Sequence, residues 1–157
     1  MGMTFLPTTA CNNILKRAFE EDIQVTPMKL QKLLYFSACE YIRLTGEDLF
    51  SERFSVWQYG PVLPSVYYEF QSFHANAITE YAKDANGNSY AYNEALSPNF
   101  KRSFDIVWNA FKTMSGVELS KITHTDGSAW DKAFRAGVTE IRSDDMKGDD
   151  TYRKHLQ

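Results

Sequence analysis

The chain has 157 residues, a length typical of one domain, and we expect residues 1–157 to form a single one. Its content of 43% hydrophobic and 24% charged residues excludes a wholly disordered chain, and it contains no apolar run long enough to span a membrane. A net charge of −3 disfavours strong binding to nucleic acid, which depends largely on Lys and Arg. The start of the chain lacks the basic and apolar regions of a signal peptide, so we expect a cytoplasmic protein.

Two helices are predicted in the first third of the chain. The first follows Thr8 or Thr9, because apolar residues then recur on one helical face. The second covers about residues 27–45. Thr26 can cap it, and Gly46 provides a left-handed stop. Its apolar surface almost surrounds the helix, so we expect it to be the centre of the fold.

The next segment predicts a strand followed by a short helix. Residues 52–59 alternate as a half-buried strand does, and Gly60 and Pro61 are expected to end that strand. Pro64 then suits the first turn of a helix that runs to about Phe73.

A hairpin is predicted beyond this helix. Residues 78–82 and 89–92 are rich in Tyr and flank a turn that contains Asn86 and Gly87. Asn-Gly is the strongest short signal for a turn between two antiparallel strands.

Helices are predicted again in the C-terminal half. Ser97 and Pro98 open a strongly amphipathic helix, and Ser115 with Glu118 forms a capping box for the next one. From Arg142 the chain is polar, and residues 143–157 are expected to form either a late helix or a flexible tail. The predicted fold is therefore mainly α (α+β), with about six helices around helix 27–45 and a small antiparallel sheet.

No catalytic or metal-binding pattern is apparent. The three His are more than five residues apart, and Cys11 and Cys39 form no metal-ligand spacing, so we expect neither a metal nor another cofactor. Residues 124–128 hold a His, an Asp and a Ser, but a nucleophile elbow is absent. We therefore expect Asp126 or Ser128 to cap a helix, and we expect no enzymatic activity.

Three motifs occur in order along the chain. Residues 29–36 read KLQKLLYF, residues 57–67 read WQYGPVLPSVY, and residues 119–130 read LSKITHTDGSAW. Together they resemble the Panacea domain family, also described as SocA-like or phage-associated GepA-like proteins, over about residues 10–135. Ala129 stands where such proteins often have Pro, and Ala is also tolerated early in a helix.

This resemblance implies an antitoxin of a toxin–antitoxin system. Its partner would be a cognate protein toxin, encoded by an adjacent gene and neutralised by direct binding. The SocA-like branch implies an alternative, an adaptor that delivers a toxin to an AAA+ protease, for which a flexible acidic tail could provide the second surface. A DNA-binding regulator is the third possibility, and the low positive charge argues against it.

The second motif supplies the predicted partner-binding residues. Gly60, Pro61 and Pro64 stiffen a turn beside several aromatic side chains, and the nine Tyr of the chain exceed the need of a core. The aromatic cluster either pins the strand to helix 27–45 or lines a groove for the toxin. The predicted partner-binding residues are Trp57, Tyr59, Pro61, Tyr67 and Tyr68, and the predicted structural residues are Gly60, Pro64, His124 and Trp130. Of the two neighbours on one helix, we expect Tyr67 to face the core and Tyr68 to face solvent.

Overall fold

A computed structural model describes residues 4–156 of the chain. Within this range there are seven α-helices and one sheet of two strands, so the predicted mainly helical fold with a small sheet is confirmed. The helices are α1 (Pro7–Glu21), α2 (Pro27–Thr45), α3 (Pro64–Phe70), α4 (Pro98–Phe111), α5 (Gly116–Thr123), α6 (Ala129–Ala136) and α7 (Ser143–Lys147), and the strands are β1 (Ser55–Trp57) and β2 (Gly60–Val62). The predicted single domain also includes residues 1–3 and 157, which lie outside the described residues. No helix within residues 4–156 is long and apolar enough to cross a membrane.

Helix α2 is the centre of the fold, as its wide apolar surface predicts. The Thr26 side chain accepts a hydrogen bond from Lys29 N at 3.2 Å, and Gly46 ends the helix with a φ of 78°. Every residue from 29 to 42 is buried, because α3, α4, α5, α7 and β2 all pack around the helix. Phe36 stacks between Phe111 and Tyr152, with ring centroids 4.8 and 5.0 Å apart.

The sheet is a tight hairpin, and it corrects the predicted strand 52–59. Only Ser55–Trp57 forms β1, and the residues expected to end the strand, Gly60 and Pro61, belong to β2. Trp57 pairs with Gly60 across a two-residue turn, and Val56 pairs with Pro61. In a hairpin of this register the Val56–Pro61 pair exchanges no ladder hydrogen bonds, so the missing N–H of proline costs nothing there. Val56 N instead donates to Thr139 O at 2.9 Å.

The predicted hairpin of residues 78–82 and 89–92 was wrong, since neither segment is a strand. Two adjacent amide side chains of α1 take the place of a strand ladder. Asn12 exchanges hydrogen bonds with the backbone N–H and C=O of Ala82, and Asn13 does the same with Tyr92. Asn12 Nδ2 also donates to Tyr90 O at 2.8 Å. The chain still turns at the expected place, where the Asp84 carboxylate accepts from the backbone N–H groups of residues 86 and 88.

The segment from Arg142 onward packs against the centre of the fold. It contains α7, and Tyr152 has no exposed surface. Tyr35 Oη donates to Asp149 Oδ2 at 2.6 Å, which ties α2 to the loop after α7. Asp149 Oδ2 also accepts from Ala129 N at 3.1 Å, so one buried carboxylate joins this loop to both α2 and α6.

Candidate functional site

A cavity of about 210 Å³ opens between α2, the β1–β2 hairpin and α3. We call it the aromatic pocket. Its walls are apolar and come from both strands and from α3: Trp57, Tyr59, Val62, Val66, Tyr67 and Phe70. Gln31 and Lys32 of α2, both buried, and the exposed His74 also line it. Of the described residues that line the pocket, none carries a carboxylate.

Three of the five predicted partner-binding residues line this pocket. Tyr59 is 60% exposed at the hairpin turn, and the rings of Trp57 and Tyr67 meet edge to face at 4.9 Å. Pro61 is buried within β2 and does not line the pocket. Tyr68 lies beside the pocket, where its ring packs edge to face on that of Tyr67 at 5.4 Å.

The prediction that Tyr67 faces the core was wrong. Tyr67 is 42% exposed, whereas Tyr68 is 64% exposed and faces solvent as expected. Val66 and Phe70, four residues apart, share the inward face of α3, and both are buried. Tyr67 therefore lies on the flank of the short helix, where it covers Trp57.

Gly60 lies where the hairpin comes close to Lys32 of α2 and Thr123 of α5. Its φ of 115° lies in the region that favours glycine. A Cβ atom there would lie 2.6 Å from Thr123 Oγ1 and 2.9 Å from Lys32 Cε. No side chain larger than hydrogen fits at this position without displacing its neighbours. Pro64, also predicted to be structural, occupies the first turn of α3.

Side chains of the motif at residues 119–130 bind backbone carbonyl groups of the β1–β2 hairpin. Trp130 Nε1 donates to Trp57 O at 2.8 Å, and Ser120 Oγ donates to Tyr59 O at 2.5 Å. Between them, His124 Nε2 lies 2.8 Å from Gln58 O, and the other ring nitrogen of His124 lies 2.5 Å from Ser120 O. Because carbonyl oxygens only accept, each of these contacts is a hydrogen bond when the His124 nitrogen in it carries a proton. Three consecutive backbone carbonyls are thus fixed from one side.

Ser128, and not Asp126, caps the helix that follows. Ser128 Oγ accepts from Asp131 N at 3.0 Å and donates to Thr123 O at 2.7 Å. The Asp126 side chain is exposed and pairs with Arg135. The Ser and His of residues 124–128 are therefore engaged with helix ends and backbone carbonyls.

Gln31 and Lys32 are the residues of the site that the sequence patterns did not single out. The Gln31 amide donates to Leu63 O at 3.1 Å and accepts from Leu63 N at 2.8 Å, so it fixes the junction of β2 and α3. Lys32 is 1% exposed, and its Nζ donates to Pro61 O at 3.2 Å. Burial lowers the pKa of Lys32 to about 7. The signal was available in the sequence: Gln31 and Lys32 are adjacent polar residues in a helix whose wide apolar surface predicts a central position.

The two cysteines are poor candidates for chemistry. Cys11 and Cys39 are both buried, and burial raises the pKa of both thiols well above the ordinary value. Within residues 4–156, no three His, Cys, Asp or Glu side chains are grouped so that they could hold a metal ion.

Comparisons with known proteins identify the family. Residues 30–131 match the family described as "Antitoxin SocA-like, Panacea domain". The chain is similar to the protein named Antitoxin SocA of Caulobacter vibrioides (strain NA1000 / CB15N), with 27% identity over 136 residues. This alignment covers 76% of the chain and 65% of that relative, so the chain spans less than two thirds of the relative's length. No solved structure gives a significant match. The family match covers more than half of the chain and, apart from Lys29, all three motifs, so the chain belongs to the antitoxin SocA-like family of Panacea domain proteins.

Proposed function

We propose that this protein is an antitoxin that neutralises a cognate protein toxin by direct binding at the aromatic pocket. Membership of the family suggests an antitoxin role and therefore a toxin as partner. The observation that carries the proposal is the pocket itself, because residues of two of the family motifs form an apolar cavity with an exposed aromatic rim.

The rim has the composition of a protein-binding surface. Tyr59, Tyr67 and Tyr68 are all exposed. Tyr59 and Tyr67 line the pocket together with Trp57, and the Tyr67 ring packs against those of Trp57 and Tyr68. Tyr and Trp dominate the residues that contribute most to protein–protein affinity, since they bury a large area and lose few rotamers. An exposed aromatic cluster of this kind commonly marks an interaction site.

The rim is also rigid before any partner arrives. The carbonyls of residues 57, 58 and 59 are each held by a side chain of α5, α6 or the loop between them. Gln31 holds the next segment through both polar groups of Leu63. A surface that is already ordered loses less conformational entropy on binding, which favours affinity.

The alternatives receive less support from the fold. The protease-adaptor alternative drew on a flexible acidic tail from Ser143, but that segment packs against α2 and buries Asp149. The net charge of −3 gives no support to a DNA-binding regulator. The buried thiols and the engaged Ser128 and His124 are consistent with a protein that binds and does not catalyse.

The test compares two exposed tyrosines on different surfaces. Tyr59→Ala removes part of the pocket rim, and Tyr90→Ala removes a side chain that is as exposed (61%) but lies outside the aromatic pocket. The product of the adjacent toxic gene is titrated with each purified variant, and growth is followed when the two genes are expressed together. We expect Tyr59→Ala to weaken the complex tenfold or more and to lose protection, while Tyr90→Ala retains both. Protection by wild-type protein without a measurable complex, or equal affinity of both variants, would overturn the proposal.

A further inference from the structure

Lys32 is a buried cation that the fold leaves largely without acceptors. An ammonium group has three N–H donors. Among residues 4–156, the carbonyl oxygen of Pro61 is its one acceptor within hydrogen-bond distance, at 3.2 Å. The neighbouring Gln31 side chain makes no hydrogen bond with Lys32. Its amide donates to Leu63 O and accepts from Leu63 N instead. A buried charge with so few partners is costly, so it calls for an explanation other than stability.

The surroundings of Lys32 are suited to an anion. Lys32 is one of the residues that line the aromatic pocket, and the described lining residues include no carboxylate. The other titratable side chains on the lining are those of Tyr59, Tyr67 and the exposed His74. In such apolar walls, a negative charge that reaches Lys32 would be weakly screened by water.

We propose that the aromatic pocket receives a glutamate side chain of the partner protein, whose carboxylate pairs with the Lys32 ammonium group. This inference rests on the proposed function and names the chemistry of the partner at the same site. The volume of about 210 Å³ lies below the ~300–1,000 Å³ typical of pockets for drug-sized ligands, which favours a single side chain.

The glutamate side chain is chemically complementary to the pocket over its whole length. Its methylene groups lie against the apolar walls, and the carboxylate is its one polar part, so no other polar group is buried without a partner. A chain-terminal carboxylate would bring a backbone N–H with it, and the one side-chain oxygen among the buried polar residues of the lining, Gln31 Oε1, already accepts from Leu63 N. Glutamine would fill the same space without the charge, and it serves as the comparison.

The first experiment uses small probes and does not require the toxin. Butyrate reproduces the glutamate side chain together with its Cα carbon, and butyramide does the same for glutamine. Each is titrated into the full-length protein while Trp fluorescence and the ¹³Cε resonance of Lys32 are followed. We expect butyrate to bind at least tenfold more tightly than butyramide, and Lys32→Met to abolish this preference. Equal binding of the two probes, or butyrate binding that survives Lys32→Met, would overturn the inference.

A second experiment measures the uptake of protons when butyrate binds. Pairing with a carboxylate favours the charged form of Lys32, so at pH 8 butyrate binding should take up close to one proton. Calorimetry in two buffers of different ionisation enthalpy measures this uptake. His74 also lines the pocket, so the same titration of Lys32→Met separates the two groups: uptake that persists in this variant contradicts the assignment to Lys32.

The toxin then distinguishes this inference from the proposed function. If Lys32→Met and Tyr59→Ala both weaken toxin binding tenfold or more, and one Glu→Gln variant of the toxin reproduces the loss, the inference holds. If Lys32→Met binds like wild type while Tyr59→Ala does not, the glutamate pairing is wrong and direct binding at the pocket stands. If neither variant affects a complex that does form, both proposals fail at this site.

Should Lys32→Met not fold, the proton uptake of the wild-type protein remains a test, and its absence at pH 8 would contradict the pairing.

Discussion

Two of the buried charged residues of helix α2, Lys32 and Glu40, have opposite surroundings in the fold. Each is 1% exposed, and they lie eight residues apart on the same helix. Glu40 accepts hydrogen bonds from Tyr152 Oη and from Arg153 Nε, the latter at 2.9 Å. Among the described residues, the Lys32 ammonium group has one hydrogen-bond acceptor, the carbonyl oxygen of Pro61. Burial alone therefore does not decide the role of a charged residue: Glu40 joins α2 to residues 152 and 153, whereas Lys32 is the group that we propose to pair with a partner.

The Glu40 region is stabilised by groups that stay protonated. Burial raises the pKa of Tyr35 and that of Tyr152, and the adjacent carboxylates raise both further. Both hydroxyls therefore remain donors, to Asp149 and Glu40 respectively, throughout the physiological range. The Lys32 region lacks any such arrangement, and this difference leads to four predictions.

The largest effect is expected from Glu40→Ala. The substitution leaves the buried Tyr152 hydroxyl without an acceptor and Arg153 without its partner, so the free energy of unfolding should fall by about 3 kcal/mol. Urea unfolding measures the change. Glu47→Ala, at an exposed position just beyond the same helix, should alter stability by less than about 0.5 kcal/mol. Similar losses for both variants would show that the compensated charge has no special role.

Gly60→Ala should lower the free energy of unfolding by about 2 kcal/mol or more, because it disturbs the packing of the hairpin around Lys32. The new methyl group meets Thr123 and Lys32, and the φ of 115° adds strain. Gly127→Ala is the matched control, since its φ of 83° is also positive but no atom lies within 4 Å of the new Cβ. Thermal unfolding of the two variants separates the cost of contact from that of backbone strain. Equal losses would show that the hairpin does not press on Lys32.

Lys32→Met should change the stability of the protein in the opposite direction to Glu40→Ala. It replaces a poorly compensated charge by an apolar side chain of similar length, so the free energy of unfolding should rise by about 1–2 kcal/mol. Lys16→Met, at an exposed position of α1, provides the control and should be close to neutral. A Lys32→Met protein that is less stable than wild type would mean that the pocket compensates the charge after all.

The smallest expected effect is a dependence of stability on pH. The pKa of Lys32 is about 7 in the folded protein and about 10.4 in the unfolded chain, so the unfolded state binds more protons between these values. The free energy of unfolding should therefore increase by about 1 kcal/mol from pH 7 to pH 8. Above this window the buried Cys11, Cys39 and Tyr35 act in the other direction, because their pKa values are raised by folding. The difference between wild type and Lys32→Met isolates the lysine, and parallel pH profiles would contradict the assignment.

The sequence predicted those parts of the fold that depend on local patterns. The wide apolar surface of α2 indicated its central position, and Thr26, Gly46 and the pair Ser115–Glu118 marked helix ends that the structure confirms. These features depend on residues within one or two turns of each other. Local spacing is enough to identify them.

The parts that were missed depend on contacts between distant residues. Asn12 and Asn13 replace a strand ladder for residues about 70 to 80 positions away, and no pattern in residues 78–92 reveals that such amides are available. The orientation of Tyr67 was decided by Val66 and Phe70, which occupy the inward face of a helix with only seven residues. The motif residues around the pocket were recognised, but the significance of Lys32 depends on its few acceptors, which only the packed structure reveals.

The pairing of Tyr152 and Arg153 with Glu40 also has a consequence for synthesis. These two residues are more than a hundred positions later in the chain than their partner on the central helix. While the ribosome is still translating the second half of the protein, α2 lacks the donors that allow Glu40 to be buried. Final packing of the core must wait until residue 153 has left the ribosomal tunnel. A product that stops before residue 153 would expose part of its apolar interior and be open to degradation, so only chains that extend past this residue should persist in the cell.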